Sequence, residues 1–243
     1  MFRAVFGTTC NHKIESFFIL GVILALKVML SLSKTIAIVG ATGGLGQEIA
    51  RQSISSGYNV IAVVRDAAKA KSLFDTSVAI KSVDLSTGEG LADAFAGADV
   101  VVEVISNSER PHGIQTIVST CEKSSVKVFV ACGGAGQLFI DPEKSKRLVT
   151  ILETLPNMGW ARPITDLHQA VQEIAFKSSI PTVFQIAPPG MTNEGLTNKF
   201  TATKDMNAGV NSASYQDVAS VLLETLNDAP SYNRAMMGVS PKP

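Results

Sequence analysis

The sequence predicts an α/β chain built as a single, doubly wound parallel sheet with helices on both faces. Three observations carry that expectation. Short runs rich in Val and Ile alternate with helix-period segments from Thr35 to the end of the chain. The run Ile36 to Val39 leads into glycines at 40, 43 and 46, and apolar positions then turn helical at Leu45, Ile49 and Ile54, which reads as strand, tight turn and helix. The 243 residues suffice for one α/β domain with a well-buried core and are too few for two.

A helix that starts directly behind a glycine turn aims unpaired backbone N–H groups and the positive end of its dipole at the turn, so an anion fits there. The glycines are expected to supply positive φ angles and to omit the Cβ atoms that would hold a pyrophosphate off the backbone. Gly40, Thr42, Gly43, Gly44, Leu45 and Gly46 are therefore the candidate phosphate-binding residues of a dinucleotide site.

Gly57 and Asn59 turn the chain, and N-V-I-A-V-V then reads as a buried parallel strand ending at Arg65. An NAD-preferring domain would carry Asp or Glu at about this distance from the glycines to hold the adenosine ribose hydroxyls. Arginine instead selects NADPH. Its fork suits the 2′-phosphate, and a charge-assisted hydrogen bond of about 1.5 to 3 kcal/mol corresponds to a preference of roughly 10- to 150-fold. Lys69 and Lys71 follow on a short helix, Ala67 to Phe74, where lysines ordinarily face solvent.

The third strand, Val78 to Val83, ends in Asp84 and Leu85, placed to meet the edge and face of an adenine; Asp84 could equally cap a helix starting near Thr87. Leu91 to Phe95 make the next helix, stopped by Gly97. The fourth strand runs from Asp99, and its end at Ile105, Ser106 and Asn107 is expected beside the nicotinamide half of the cofactor. Glu103 inside that strand is anomalous, because a carboxylate in a central parallel strand costs several kcal/mol unless paired or protonated. It marks either a less covered strand or a site residue with a raised pKa.

Ile114 to Lys123 form an amphipathic helix, and V-K-V-F-V-A-C is the fifth strand, ending in C-G-G-A-G from Cys132 to Gly136. Glycines there are expected to let the backbone approach nicotinamide and substrate. Cys132 and Gly133 join the candidate cofactor set, with Cys132 a small buried residue rather than a nucleophile. Gln137 to Trp160 is an irregular loop and helix bordering the substrate. Pro163 opens a helix with a stripe at Leu167, Ala170, Val171, Ile174 and Ala175. His168, read as lying in its first turn, is the candidate catalytic proton donor. A helix amino end disfavours imidazolium, so a neutral hydrogen-bonding role is the alternative. The sixth strand, P-T-V-F-Q-I-A, ends in P-P-G, where Pro188 is expected to wall the nicotinamide pocket. Phe200 to Thr203 add a short strand, Asn207 and Gly209 a turn, Tyr215 to Leu226 a last helix and Ala235 to Val239 an edge strand.

Lys plus Arg equals Asp plus Glu at 21 each, which points to a small-molecule partner rather than nucleic acid or an anionic membrane. Cys10, Cys121 and Cys132 give no disulfide framework and no metal-ligand spacing, in keeping with a reducing compartment. The apolar stretch Phe17 to Leu32 would span roughly 24 Å as a helix, short of the roughly 30 Å hydrocarbon core, and Lys27 interrupts it. It reads as a signal or anchor segment, or as an extension ahead of a start at Met29. Residues 1–33 are thus set apart from a dinucleotide-binding domain over residues 34–243. The folded domain is expected in the cytoplasm, as a monomer or weak homodimer, with membrane or organelle contact only through Phe17 to Leu32.

From Thr35 to about Pro241 the chain resembles the atypical short-chain dehydrogenases/reductases that bind NAD(P)H through a G-A-T-G-x-x-G loop, especially the biliverdin-IXβ reductase and flavin reductase type. The pieces that carry the resemblance are G-A-T-G-G-L-G (Gly40 to Gly46), V-V-R-D (Val63 to Asp66), the glycine turn after the fifth strand, I-T-D-L-H (Ile164 to His168), P-P-G (Pro188 to Gly190) and Y-Q-D-V-A (Tyr215 to Ala219). The resemblance implies a Rossmann-type fold, 2′-phosphate binding by Arg65 and a substrate-side histidine at His168. Gly133 or Gly134 stands where the family member has a serine beside the bound ring.

The Tyr-x-x-x-Lys base of standard short-chain dehydrogenases is absent: Ala62, Ala219 and Met236 lie four residues after Tyr58, Tyr215 and Tyr232. Proton abstraction from an alcohol by a tyrosine is not open to this chain, whereas hydride transfer to a flavin or another conjugated acceptor needs no such base. The expected activity is NADPH-dependent reduction of a flat acceptor of flavin, quinone or tetrapyrrole type. A non-catalytic sensor of the NmrA type, or a membrane-tethered assembly factor, are the alternatives.

Overall fold

The computed structural model describes residues 33–243 except Asn107, Glu109, Asn211 and Pro243 and the side chains of Pro111 and His112. The readings made on Phe17 to Leu32, Cys10 and Asn107 lie outside the described residues. Lys34–Pro243 packs as one unit. Among the described residues no helix is long and apolar enough to cross a membrane.

The elements run β1 (Thr35–Val39), α1 (Gly44–Ser55), β2 (Asn59–Val64), α2 (Ala67–Leu73), β3 (Val78–Ser82), α3 (Leu91–Phe95), β4 (Val100–Glu103), α4 (Arg110–Glu122) and β5 (Val128–Cys132). There follow α5 (Val149–Leu152), α6 (Ala161–Phe176), β6 (Thr182–Ala187), β7 (Gly190–Thr192), β8 (Phe200–Lys204), β9 (Ser212–Ser214), α7 (Tyr215–Leu226) and β10 (Met236–Pro241). The main sheet has the order β3-β2-β1-β4-β5-β6-β10-β8, parallel throughout except for β8, which runs antiparallel to β10. This is the mostly parallel, Rossmann-like α/β architecture expected from the alternating pattern.

Residues alternate strictly across the sheet. Ile36, Ile38, Ala62, Val102, Val130 and Phe184 face one side, where Leu45 and Ile49 of α1 and Val218 and Leu222 of α7 cover them. Ala37, Val39, Val63, Val101, Phe129 and Val183 face the other, under α3, α4 and α6. Burial on both faces is why the strands read as near-continuous apolar runs. Each such Val, Ile, Leu or Phe side chain contributes about 1.5 to 3 kcal/mol.

Several boundaries differ from the sequence expectation. The final strand is not at the edge, because β8 pairs with it over five registers from Met237–Lys204 to Pro241–Phe200 and takes the edge position. β4 ends at Glu103 rather than continuing through Ser106. Helix α6 begins at Ala161, so His168 falls in the interior of the helix and not in its first turn. Helix α3 begins at Leu91 behind Gly90, whose φ is 81°, so Asp84 caps no helix near Thr87. The parallel ribbon of β7 with β9 was not foreseen.

Gly46 is where α1 lies closest to β1. A Cβ there would collide with the Gly40 carbonyl oxygen and sit 2.8 Å from the Ala41 Cα, both backbone atoms that cannot swing aside. Gly46→Ala is expected to lower stability by about 1 to 3 kcal/mol through overpacking, despite the better helix propensity of alanine. Gly159→Ala, at a position where an added Cβ meets nothing within 4 Å, is expected to be neutral or slightly stabilising. Thermal unfolding of the two variants beside the parent chain checks the contrast, at roughly 2 to 4 °C per kcal/mol for a chain of this size.

Candidate functional site

The carboxyl ends of β1, β2, β3 and β4 surround a cleft of about 220 Å³. β1 has β2 on one side and β4 on the other, so the strand order reverses at this point, where open α/β sheets leave a crevice. The turn out of β1 forms one wall. Gly40 has φ 93°, and its N–H donates to the Val63 carbonyl at 3.1 Å. A Cβ on Gly40 would lie 2.9 Å from the Val104 carbonyl oxygen. The N–H of Gly43 returns to the Gly40 carbonyl at 3.0 Å, and the first bond into α1 is Gln47 N–H to Gly43 O at 2.9 Å. The amides of Gly44, Leu45 and Gly46 therefore have no acceptor within the helix, and Gly43 has no side chain to cap them. They are the donors an anion would use.

The glycines do not share one task. Of Gly40, Gly43, Gly44 and Gly46, Gly40 alone has a positive φ; Gly43 is the extended N-cap residue at φ −79°. Gly44 makes room for the Tyr215 ring, which would lie 3.0 Å from an added Cβ. Gly46 serves helix–strand contact. The expectation that the glycines supply positive φ angles together thus holds at Gly40 and is corrected at the others, because the helix begins sooner than the motif spacing suggested.

From the candidate cofactor set the structure brings Gly40, Thr42, Gly43, Arg65, Leu85, Ile105 and Ser106 onto the cleft, and it adds Lys69. Leu45 is buried behind the turn with Gly46. Among the described residues two cations and no carboxylate line the cleft. The neighbouring acid, Asp66, is committed to its own helix, accepting from the Lys69 N–H at 2.9 Å. That cap places Lys69 in the first turn of α2, at the end of the helix nearest the strand ends, exposed and on the cleft wall. Asp84 is exposed and outside the cleft. Its carboxylate accepts from the Ser86 hydroxyl at 2.6 Å and the Ser86 N–H at 2.8 Å, and those bonds hold it below the usual carboxylate range.

Cys132, Gly133, Pro188 and His168 form a separate, buried group behind the ends of β5 and β6. Gly133 N–H donates to Ile186 O at 2.6 Å, and Ala135 N–H to Pro188 O at 2.9 Å. An added Cβ on Gly133 would lie 2.6 Å from the Gln185 Cδ, and one on Gly134 2.8 Å from the His168 Nδ1. These glycines thus make room for the protein's own side chains. Burial pushes the Cys132 thiol up, with the Arg110 charge opposing, so it is no nucleophile at neutral pH.

Glu103 is wholly buried and is paired: its Oε1 lies 3.2 Å from Arg110 Nε. Burial pushes its carboxyl up, against the Arg110 charge and two backbone N–H bonds. The strand is therefore fully covered, and the partner is the residue sequence reasoning missed. The signal was present, since a buried carboxylate demands a cation.

Burial first, and then the Arg110 charge, push the His168 imidazole down to about 4. At neutral pH it is uncharged, and it carries no proton to donate as imidazolium. An unfolded chain takes up that proton near pH 6.5, the folded one near 4. Stability is then unaffected by His168 above about pH 6.5 and falls as pH drops from there towards 4, by on the order of 3 kcal/mol. Denaturant unfolding at pH 7.5, 6 and 5 is expected to show this slope in the parent chain and a flatter one in His168→Gln.

Residues 40–229 match the sequence profile of a family described as NAD(P)H-binding. Protein YwnB of Bacillus subtilis is 28% identical over 222 residues, covering 84% of this chain and 98% of YwnB. Among solved structures, SP1627 of Streptococcus pneumoniae, a candidate NADH-flavin reductase, superposes with a TM-score of 0.70 at 20% identity over 86% of this chain and 100% of its own. ChuY of Escherichia coli O157:H7, an anaerobillin reductase, gives 0.63 at 18% identity over the same shares. At these identities the structural likeness is one of fold. The sequence match, by contrast, begins at the glycine turn itself and runs on through β2, β3, β4 and the segments after them that line the cleft, and the chain belongs to the NAD(P)H-binding family.

Proposed function

We propose that the protein is an NADPH-dependent reductase that passes hydride to a flat, conjugated acceptor of flavin, quinone or tetrapyrrole type. The observation that carries this reading is the charge of the cleft, where Arg65 just past β2 and Lys69 in the first turn of α2 lie on the wall and no carboxylate does so among the described residues. An NAD-selective site needs an acid for the ribose hydroxyls. Two cations suit a 2′-phosphate instead.

On this reading the N–H groups of Gly44, Leu45 and Gly46 hold the pyrophosphate, and Leu85 lies against the adenine. Arg65, assisted by Lys69, holds the 2′-phosphate. Ile105 and Ser106 run from the cleft towards the nicotinamide half. The nicotinamide supplies the hydride when bound. The protein's own task is to orient the acceptor and keep water from competing. His168 is buried and neutral, and the chain has no Tyr-x-x-x-Lys base. A conjugated acceptor fits both facts, because it takes up hydride and draws its proton from solvent. The descriptions of SP1627 as a candidate NADH-flavin reductase and of ChuY as an anaerobillin reductase agree with this class of reaction.

Calorimetric titration of the full chain is expected to give NADPH affinity at least about tenfold above that for NADH, with Arg65→Ala losing roughly 10- to 150-fold of it. Lys69→Ala should weaken NADPH in the same direction by less. Loss of the near-ultraviolet absorbance of NADPH on adding FMN or a quinone then tests turnover: tight binding without oxidation of any acceptor would make the protein a sensor. Binding of neither dinucleotide would overturn the reading altogether.

A further inference from the structure

We propose that the buried Glu103–Arg110 pair is a positioning device for the dinucleotide, clamping the chain segment that forms the β4 wall of the cleft. The inference rests on the reading of that cleft as the cofactor site. Glu103 is the last residue of β4 and Arg110 the first of α4. The segment between them contains Val104, Ile105 and Ser106, all on the cleft wall. One ion pair thus closes both ends of the wall-forming segment. Glu103 is 0% exposed and Arg110 2%, so water does not compete for either partner.

The carboxylate does more than pair with Arg110. Glu103 Oε1 accepts from the Ile105 N–H at 2.9 Å, and Oε2 accepts from the Cys132 N–H at 3.3 Å. Both amides lie where the β4–β5 ladder gives out, at register pair Glu103–Ala131. A single side chain therefore takes over from the ladder and ties the exits of two strands together. The same wall also touches the phosphate turn. Val104 N–H donates to Val39 O at 2.9 Å, and the Val104 carbonyl abuts Gly40. A shift of the segment would reach the glycine turn directly.

Stability alone does not account for an ion pair here. Burying two charges costs several kcal/mol each before they attract, and an apolar pair of similar volume is often as stable. What leucines could not do is accept the Ile105 and Cys132 amides. Glu103 and Arg110 touch no part of the cleft themselves, so they act through Ile105 and Ser106.

The test compares the full chain with Glu103→Gln and with the double variant Glu103→Leu/Arg110→Leu. The double variant removes both buried charges but leaves the Ile105 and Cys132 amides without an acceptor, so it is expected to melt below the parent while remaining folded, and its NADPH dissociation constant and KM are expected to rise by about tenfold or more while kcat at saturating NADPH holds. Glu103→Gln keeps one acceptor oxygen, so its affinity should fall between the two, with faster hydrogen exchange at the Cys132 or Ile105 amide in an otherwise protected sheet. Should the double variant not fold, Glu103→Gln decides alone. NADPH binding within about twofold of the parent in a folded variant, with unchanged amide protection, overturns the proposal and leaves the pair a purely structural feature. A parent chain that binds neither NADPH nor NADH fails the cleft reading instead, whatever the variants do.

Discussion

The close contact between α1 and the end of β1 is the constraint on which the rest of the structure depends. With Gly46 seated on the carbonyl of Gly40, the helix starts flush against the sheet, directly behind the turn that walls the cleft. The same contact lets Leu45 and Ile49 reach the core face of the sheet. The shape of the glycine turn and the packing of the core are thus two results of one approach distance. A bulkier residue at 46 would disturb both.

Around that contact the cleft divides its chemistry by strand. β1 contributes backbone donors, β2 contributes charge through Arg65 with Lys69 beyond it, β3 contributes Leu85, and β4 contributes Ile105 and Ser106. Parallel strands make this possible, since all of their carboxyl ends emerge on one edge. The polar groups behind β5 and β6 belong to a different order of structure. His168, Gln137 and Gln185 are buried, packed into the spaces left by Gly133 and Gly134, and they shape the turn from inside.

The path of the chain beyond β6 shows tertiary packing overriding local pattern. Asp217 of α7 accepts from the N–H groups of Thr197 and Asn198 and from the Thr197 and Ser214 hydroxyls. It thereby pins the segment between β7 and β8 against the start of α7. The segment carries no apolar period that would have forecast this course, because a side-chain acceptor rather than a buried face holds it.

The strand runs, the glycine turn and Arg65 were legible in the sequence because each depends on local chemistry: β-branched period, the absence of Cβ atoms and a fixed distance from turn to strand end. The fold class and half of the cleft followed from these. The partner of Glu103, the place of Lys69 on the cleft wall and the choice between a charged and a neutral His168 depend on which groups meet in the fold and how deeply they are buried, and neither is written in local spacing. The glycines after β5 illustrate the difference. By pattern they are expected to let a ligand approach the backbone, and only the tertiary packing shows Gln137, Gln185 and His168 standing where a Cβ would be.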